Sequence, residues 1–352
     1  MEDDIERRKC EHLEHALNPA VERPGPGTGF DDIHLIHDAL PELILDDVDL
    51  TVNLLGRTLS APVLITGMSG GTAQASALNR DLAHAAQSRG IAFGVGSQRV
   101  MVERPELSDM FAVRDVAPDV PLFANIGAQE LARLGADPIV RLVSSIAADA
   151  VFVHLNPAQE LAQRGGARSF AGCLEGIRIL ADTLGPRVWV KETGCGMSRH
   201  VARRLIEAGV SGLDVAGVGG TSWPRVESLR ATGPLRGVGL AVSGWGIPTA
   251  VSLLAVADLG VPVVASGGIR SGLDAAKAIA LGATLVGVAR PMLVAHRTGG
   301  REAVLEAVDA LIDTLRAVLL LTGSRTVGEL RQRPRAITGD LKAWTEAARS
   351  EG

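Results

Sequence analysis

The chain has 352 residues, 46% of them apolar, with 41 glycines and a formal charge of −5, which suits one large domain with an extension rather than a string of small ones. So mild an acidic balance leaves no nucleic-acid footprint, and any anionic ligand has to be met by local cations. Cys10, Cys173 and Cys195 are too few and too scattered for a disulfide framework or a zinc site; no signal peptide and no run of about 18 apolar residues is legible, so a cytoplasmic protein without a membrane span is expected.

Residues 1–60 read as an N-terminal arm and entry segment. Short β-branched or apolar runs then follow at 62–66, 91–96, 121–126, 150–156, 188–193, 212–216, 261–265 and 284–289. Segments of helical periodicity lie between most of them, for example 77–86, 201–208 and 273–280, the last two followed closely by a glycine that suits a helix stop. Strand–helix alternation at a repeat of roughly 30 residues marks βαβ units on a parallel sheet. Eight units, and no Gly-x-Gly-x-x-Gly after the first strand, favour a closed (β/α)8 TIM barrel over residues 61–300 and disfavour an open doubly wound sheet. The long interval 217–260, with Trp223, Trp245 and several glycines, is expected to be an extended loop over the barrel mouth. Residues 301–352 are expected to form C-terminal helices packed on the barrel.

In such a barrel chemistry sits at the C-terminal strand ends, and here those ends are consistently polar or glycine-rich. The first gives Thr66-Gly67-Met68-Ser69, the second Gly96-Ser97-Gln98-Arg99 and the third Asn125-Ile126-Gly127. The fourth runs from an apolar strand straight into His154-Leu155-Asn156-Pro157-Ala158-Gln159-Glu160, the most informative stretch of the chain. Buried amides and a carboxylate at that point need partners or a metal, because unpaired burial is costly. Lys191 ends the fifth strand, and Ala216 through Thr221 follow the sixth. The seventh and eighth contribute Ser266-Gly267-Gly268-Ile269-Arg270 and Ala289-Arg290-Pro291. Glycine amides and a helix N-terminus after the last two strands form the usual phosphate site of this fold.

A flat cofactor with one phosphate at that corner points to FMN. Gly67, Met68, Ser69, Ser97, Asn125, Ala216 and Thr221 are candidates to line it, while Gly267, Gly268, Ile269, Arg270, Ala289 and Arg290 are candidates to hold its phosphate. Lys191 would place a fixed cation beside the flavin ring, favouring an anionic reduced flavin; the bland reading pairs it with Glu192. The segment Arg7-Arg8-Lys9-Cys10-Glu11-His12 concentrates cations outside the barrel. It is either a solvated tail or, folded over a barrel mouth of this or a neighbouring subunit, a diphosphate clamp built from Arg8, Lys9 and His12 and joined by Arg99. Glu160 would then hold Mg2+, a hard cation that bridges carboxylate and diphosphate oxygens.

Taken together, Arg8-Lys9-x-x-His12, Met68-Ser69-Gly70-Gly71-Thr72, Gly96-Ser97-Gln98-Arg99, His154-x-Asn156-x-x-Gln159-Glu160, Lys191-Glu192-x-Gly194, Gly219-Gly220-Thr221 and Ser266-Gly267-Gly268-Ile269-Arg270 make the chain resemble, over nearly its whole length, the type 2, FMN-dependent isopentenyl-diphosphate isomerases. The first and fourth of these elements are specific in combination; the flavin-phosphate elements are shared with other FMN barrels. The resemblance implies interconversion of isopentenyl and dimethylallyl diphosphate by reduced-FMN acid/base chemistry with Mg2+, with NADPH as reductant, in a homo-oligomer (tetramer or octamer). It implies catalytic roles for Gln159, His154 and Asn156, with Gln159 near the reacting carbons. Arg8, Lys9, His12 and Arg99 fall on the diphosphate and Glu160 on the metal. One departure is the loop 164–170, Arg-Gly-Gly-Ala-Arg-Ser-Phe, which lacks the family's acidic residues and is expected to leave Glu160 less supported. An FMN-dependent oxidoreductase of the hydroxy-acid oxidase or dehydrogenase type, with His154 recruited as base, is the principal rival. Thiol chemistry at Cys195 is another, and neither of these explains the Arg8-Lys9-His12 cluster; a non-catalytic flavin module is the last.

Overall fold

A computed structural model describes residues 2–22 and 27–350; Met1, residues 23–26 of the expected arm and residues 351–352 lie outside the described residues. Eight parallel strands close into a barrel: β1 (Val63–Ile65), β2 (Ala92–Gly94), β3 (Leu122–Gly127), β4 (Ala150–Leu155), β5 (Val188–Glu192), β6 (Gly212–Asp214), β7 (Val263–Ser266) and β8 (Leu285–Val288). Each pairs in parallel with its sequence neighbours, and β8 pairs with β1 to complete the circle. All eight expected runs are present, their ends shifted by a residue or two.

Alternation along the strands sorts the apolar residues into two packed groups. Val63, Ile65, Ile126, Val151, Val153, Val188 and Val190 face outward and pack under the surrounding helices. Leu64, Ala92, Phe123, Phe152, Trp189, Val264 and Leu285 face inward. Inside, Phe123 and Phe152 stack with centroids 4.4 Å apart, and the Trp189 ring meets both edge-on. The neighbouring strand must yield to that indole: a Cβ on Gly212 would lie 2.3 Å from it. A hairpin of Val52–Leu54 and Arg57–Leu59 turns at Leu55-Gly56, both at positive φ, and sends Leu54 and Leu59 into the same group. The hairpin therefore plugs the N-terminal end, and the barrel opens at its other rim.

The helix after β1 (Ala73–Arg89) is capped by the Thr72 side chain and stopped by Gly90 in the left-handed region. The helix after β7 (Gly272–Ala280) carries a Ser271/Asp274 capping box. The interval 217–260 departs from expectation, because it folds into three helices, Trp223–Arg230, Gly233–Ala241 and Thr249–Val256. Pro224, Gly233 and Pro248 punctuate it so densely that it reads as loop, yet those residues mark helix starts, where proline costs nothing. The first of the three is tied to its surroundings by the buried residues Val226 and Glu227. After β8 a long helix, Arg290–Leu321, breaks at Gly299-Gly300, and Val327–Gln332 and Gly339–Ser350 follow. Ile33–Leu35 pairs antiparallel with Arg335–Ile337, joining entry and exit of the chain. At the start, Glu2–Leu17 is a helix that buries Leu13 and Ala16 on its own barrel's mouth. No helix among the described residues is long and apolar enough to cross a membrane.

Phe152→Ala removes a ring 1% exposed from a layer with no slack. Unfolding free energy in denaturant should drop by about 3–5 kcal/mol with an unchanged m-value; a loss below 1 kcal/mol would mean the inner layer is loosely packed.

Candidate active site

The open rim encloses a cavity of about 610 Å³, within the roughly 300–1,000 Å³ usual for cofactor and substrate sites. Every residue named from the sequence for cofactor, substrate or metal contributes to its wall, Cys195 standing outside it: the cluster Arg8, Lys9 and His12 from the N-terminal helix, the glycine-rich strand ends, and His154, Asn156, Gln159, Glu160 and Lys191. The cavity has two chemically distinct ends.

At one end the wall is flat and backbone-rich. Gly67 is pressed against β2, where a Cβ would meet the Val95 carbonyl oxygen at 2.1 Å. The Thr66 hydroxyl is buried there without a protein partner. Lys191 Nζ donates to the Glu192 carbonyl at 2.5 Å and lies 3.9 Å from Asp214 Oδ2. Its carboxylate neighbour in space is thus Asp214, while the Glu192 carboxylate accepts instead from the amides of Thr193, Gly194 and Cys195. Burial pushes Glu192 up to about 7 against those bonds and Lys191. Asp214 is also raised by burial; it accepts from Ser266 Oγ at 2.6 Å and from the amide of Ala216, a non-glycine residue at φ +35°. At the corner beyond, the amides of Gly268, Ile269 and Ala289 find no acceptor among the described residues. Arg270 donates to the carbonyls of Gly219 and Gly268. The Arg290 guanidinium is engaged by the end of the N-terminal helix, at the Ala16 and Leu17 carbonyls, and by Glu22.

Unpaired amides at a strand-to-helix turn, an orphaned hydroxyl, a glycine-flattened wall and a buried lysine fit FMN. The phosphate would lie on the amides of Gly268, Ile269 and Ala289, and the ring beside Lys191.

The other end is cationic. Lys9 Nζ donates to the Ser97 carbonyl at 3.0 Å and lies 5.8 Å from the centre of the Phe111 ring. Burial, then Arg8 and Arg99, bring its pKa down to about 7. Arg8 is also lowered, chiefly by burial, and its Nε is buried without a partner. Arg99 is held by Glu130 at 3.1 Å. Burial, with Lys191, Lys9 and Arg99, takes His154 down to about 3, and its neutral Nδ1–H donates to Asn125 Oδ1 at 2.8 Å. Buried cations without balancing carboxylates are costly unless an anion completes the site.

Between the two ends, Asn156 Nδ2 donates to Glu160 Oε1 at 3.0 Å, and Gln129 orients Asn156. The Ala167 amide donates to Glu160 Oε2 at 2.6 Å. The altered loop therefore supports Glu160 through its backbone, contrary to expectation, and does so without acidic side chains. No group of three or more His, Cys, Asp or Glu among the described residues is placed to hold a metal. Glu160 is a carboxylate of the hard-oxygen type that Mg2+ prefers, and it would be the protein's contribution to such an ion.

Glu227, 1% exposed, escaped the sequence reading. Its Oε1 accepts from His12 Nε2 at 2.8 Å and from Gln159 Nε2 at 3.2 Å, and its Oε2 from Arg230 at 2.7 Å. Burial alone would raise it, but His12 and Arg230 outweigh burial and hold it below the ordinary carboxylate range. It lies in the interval read as loop, where nothing in the local pattern distinguishes it from a surface acid.

A closed parallel barrel with this phosphate corner and this lysine defines an FMN-binding (β/α)8 enzyme, and a family model described as FMN-dependent dehydrogenase matches residues 147–336. The fold resembles a solved lactate oxidase of Pediococcus acidilactici (TM-score 0.65, 16% identity, 96% of this chain and 94% of that one). It also resembles a mandelate oxidase (TM-score 0.59, 19% identity, 93% and 92%). Sequence likeness is far greater elsewhere. The chain is 42% identical to the isopentenyl-diphosphate delta-isomerase of Pyrococcus abyssi over 98% of its length and 95% of the relative's. To that of Stutzerimonas stutzeri it is 48% identical over 92% and 95%. The chain belongs to the isopentenyl-diphosphate delta-isomerase family.

With Lys9 near 7, an anion entering the cationic end should draw a proton onto the fraction of its amine that is neutral, since a nearby opposite charge raises a lysine. Titration of inorganic pyrophosphate at pH 7.5 in buffers of different ionisation enthalpy should show more proton uptake for wild type than for Lys9→Met. The difference should vanish near pH 5.5, where Lys9 is already charged. Equal uptake by the two proteins at pH 7.5 would place Lys9 outside the anion site.

Proposed function

We propose that this protein interconverts isopentenyl and dimethylallyl diphosphate, in isoprenoid precursor biosynthesis, with FMN, NADPH as reductant and Mg2+. The observation that carries the reading is the buried cationic end, Arg8 and Lys9 foremost, set opposite a flavin-shaped wall in one cavity. A hydroxy-acid substrate has no use for so many buried cations at a distance from the flavin. His154, held near 3 by burial and three cations, is moreover a poor base for an oxidase.

In this reading Arg8, Lys9 and Arg99 bind the diphosphate, and neutral His154 keeps its remaining ring nitrogen on the substrate side. Glu160, fixed by Asn156 and the Ala167 amide, would hold Mg2+, which would help neutralise the diphosphate. Charge neutralisation by these groups anchors the polar head and leaves the C5 chain to lie along the flavin. Gln159, tethered to Glu227, sets the position of the chain near its reacting carbons. Moving a double bond takes one proton on and one off with no net redox change, and reduced FMN, when bound, supplies acid/base capacity that no side chain here matches toward an alkene. The Glu2–Leu17 helix over the rim excludes water, which strengthens every charge contact inside.

Three further expectations stand as part of the proposal. The chain divides into an N-terminal segment, barrel and C-terminal helices, the protein is cytoplasmic, and it assembles as a homo-oligomer. Support for assembly comes from the segment after Ile33–Leu35, where Leu40 and Ile44 stand 75% and 66% exposed, a costly arrangement for a lone subunit.

Anaerobic incubation of isopentenyl diphosphate with the reduced holoprotein and Mg2+ should yield a product of unchanged mass; oxidation of the substrate, or no turnover, would sink the assignment. Glu160→Gln should keep FMN and lose turnover, partly restored by raised Mg2+, because an amide is a weak ligand for a hard cation. Full activity at low Mg2+ would move the metal elsewhere. The double change Arg8→Ala/Lys9→Ala should preserve the flavin spectrum while lowering kcat/KM on the order of a hundredfold, given roughly 1.5–3 kcal/mol per charge-assisted bond. Unaltered kinetics would make the N-terminal cations a solvated face.

A further inference from the structure

The helix that carries Arg8, Lys9 and His12 is weakly anchored by apolar contact, with Leu13 and Ala16 its buried apolar side chains among the described residues. Polar ties do the rest. His12 bonds Glu227, Glu11 bonds Arg230, and the C-terminal end is gripped by Arg290. That last grip is the most developed. Arg290 Nε donates to the Ala16 carbonyl at 2.8 Å and Nη2 to the Leu17 carbonyl at 3.2 Å, two terminal carbonyls that no helical amide can reach. Nη1 donates to Glu22 Oε1 at 2.6 Å, and the same oxygen lies 3.6 Å from Arg270 Nη2. Arg270 in turn holds the Gly219 and Gly268 carbonyls. One carboxylate and two guanidiniums thus join the helix end to the loops after β6, β7 and β8.

We propose that Arg290 is a positioning residue for substrate binding: its guanidinium docks the N-terminal helix and so sets where Arg8 and Lys9 stand. This rests on the reading of those cations as the diphosphate clamp. A cation at a helix C-terminus satisfies both the free carbonyls and the helix dipole. A helix is stiff over the seven residues from Lys9 to Ala16, about 10 Å at 1.5 Å per residue, so loosening one end displaces the other. The flavin phosphate, by contrast, needs only the main chain at Ala289 and Arg290, which a side-chain change leaves in place. Glu22 belongs to the same device, because it fixes the guanidinium on the helix side of the corner.

Arg290→Gln tests this in the FMN-loaded protein by three measurements. Amides of residues 7–17 should exchange with deuterium at least tenfold faster than in wild type, because docking is lost before the barrel opens. Affinity for inorganic pyrophosphate with Mg2+ should fall about tenfold, and KM for isopentenyl diphosphate should rise by a similar factor with a smaller loss in kcat. The FMN dissociation constant should move by less than about threefold, as expected where an unaltered backbone makes the phosphate contacts. Arg290→Lys should recover part of the protection, and Glu22→Gln should weaken it in an otherwise intact protein, so the proposal stays testable if Arg290→Gln does not fold. Loss of FMN with the helix still protected would overturn it and make Arg290 a cofactor ligand; unchanged exchange and unchanged pyrophosphate affinity would overturn it as well. If exchange and pyrophosphate binding respond as stated but the wild-type protein does not isomerise, the docking role stands and the isomerase reading falls.

Discussion

Closing eight parallel strands into a circle obliges all of them to end at one rim, and that obligation underlies everything else about this molecule. Inside the barrel Phe123, Phe152 and Trp189 fill the available space, and the Val52–Leu54/Arg57–Leu59 hairpin seals the lower end. No ligand can enter from below. The upper rim is where backbone amides run out of ladder partners, and where a side chain at a strand end faces a cavity instead of a helix. Unsatisfied groups gathered there are the material of a binding site.

Cations gather along that rim, and carboxylates balance only some of them. The protein is acidic overall, yet Arg8, Lys9, Arg99 and Lys191 converge on one cavity. Burial lowers the pKa of Arg8, Lys9 and His154, a cost that a bound anion would offset. Carboxylates are present, but each is already committed. Asp214 stands behind Lys191, Glu130 on Arg99, Glu227 on His12 and Arg230, and Glu160 on an asparagine and an amide. Such an arrangement suits a ligand that brings its own negative charge.

The cationic and glycine-rich ends of the cavity are bridged by the chain's first helix. The first helix lies across the rim, its middle on Glu227 and its end on Arg290. Residues from the two extremes of the sequence therefore share one wall, and the strand pairing of Ile33–Leu35 with Arg335–Ile337 reinforces the arrangement from outside. A segment of this kind gains its structure from tertiary contact, since its own apolar face is narrow.

Much of this was legible from residues alone. Runs of β-branched residues at regular intervals, glycines after the seventh and eighth, and polar groups directly after apolar runs report local physics: strand propensity, close backbone approach, the cost of burying amides. Those effects act over a few residues and leave a readable pattern. The strands, and the gathering at one rim of the glycine-rich turns, His154 through Glu160 and Lys191, were legible in that way, and the Arg8-Lys9-His12 spacing marked a cationic cluster as a candidate clamp. Other features depend on pairs of residues hundreds of positions apart, for which no local pattern exists. Glu227 became part of the site only when its helix was set against His12 and Gln159; the interval around it looked like loop because proline and glycine mark helix starts as well as turns. Ala167 supports Glu160 through an amide, which every residue type possesses. Arg290, placed by its neighbours in sequence at the phosphate corner, turns its guanidinium toward Ala16, Leu17 and Glu22 because the helix end offers free carbonyls and a carboxylate. The sequence by itself determined which groups crowd the rim, since strand periodicity dictates that. Tertiary structure alone decided which group each of them touches, because side-chain partnership is settled by the packing of distant segments and not by spacing along the chain.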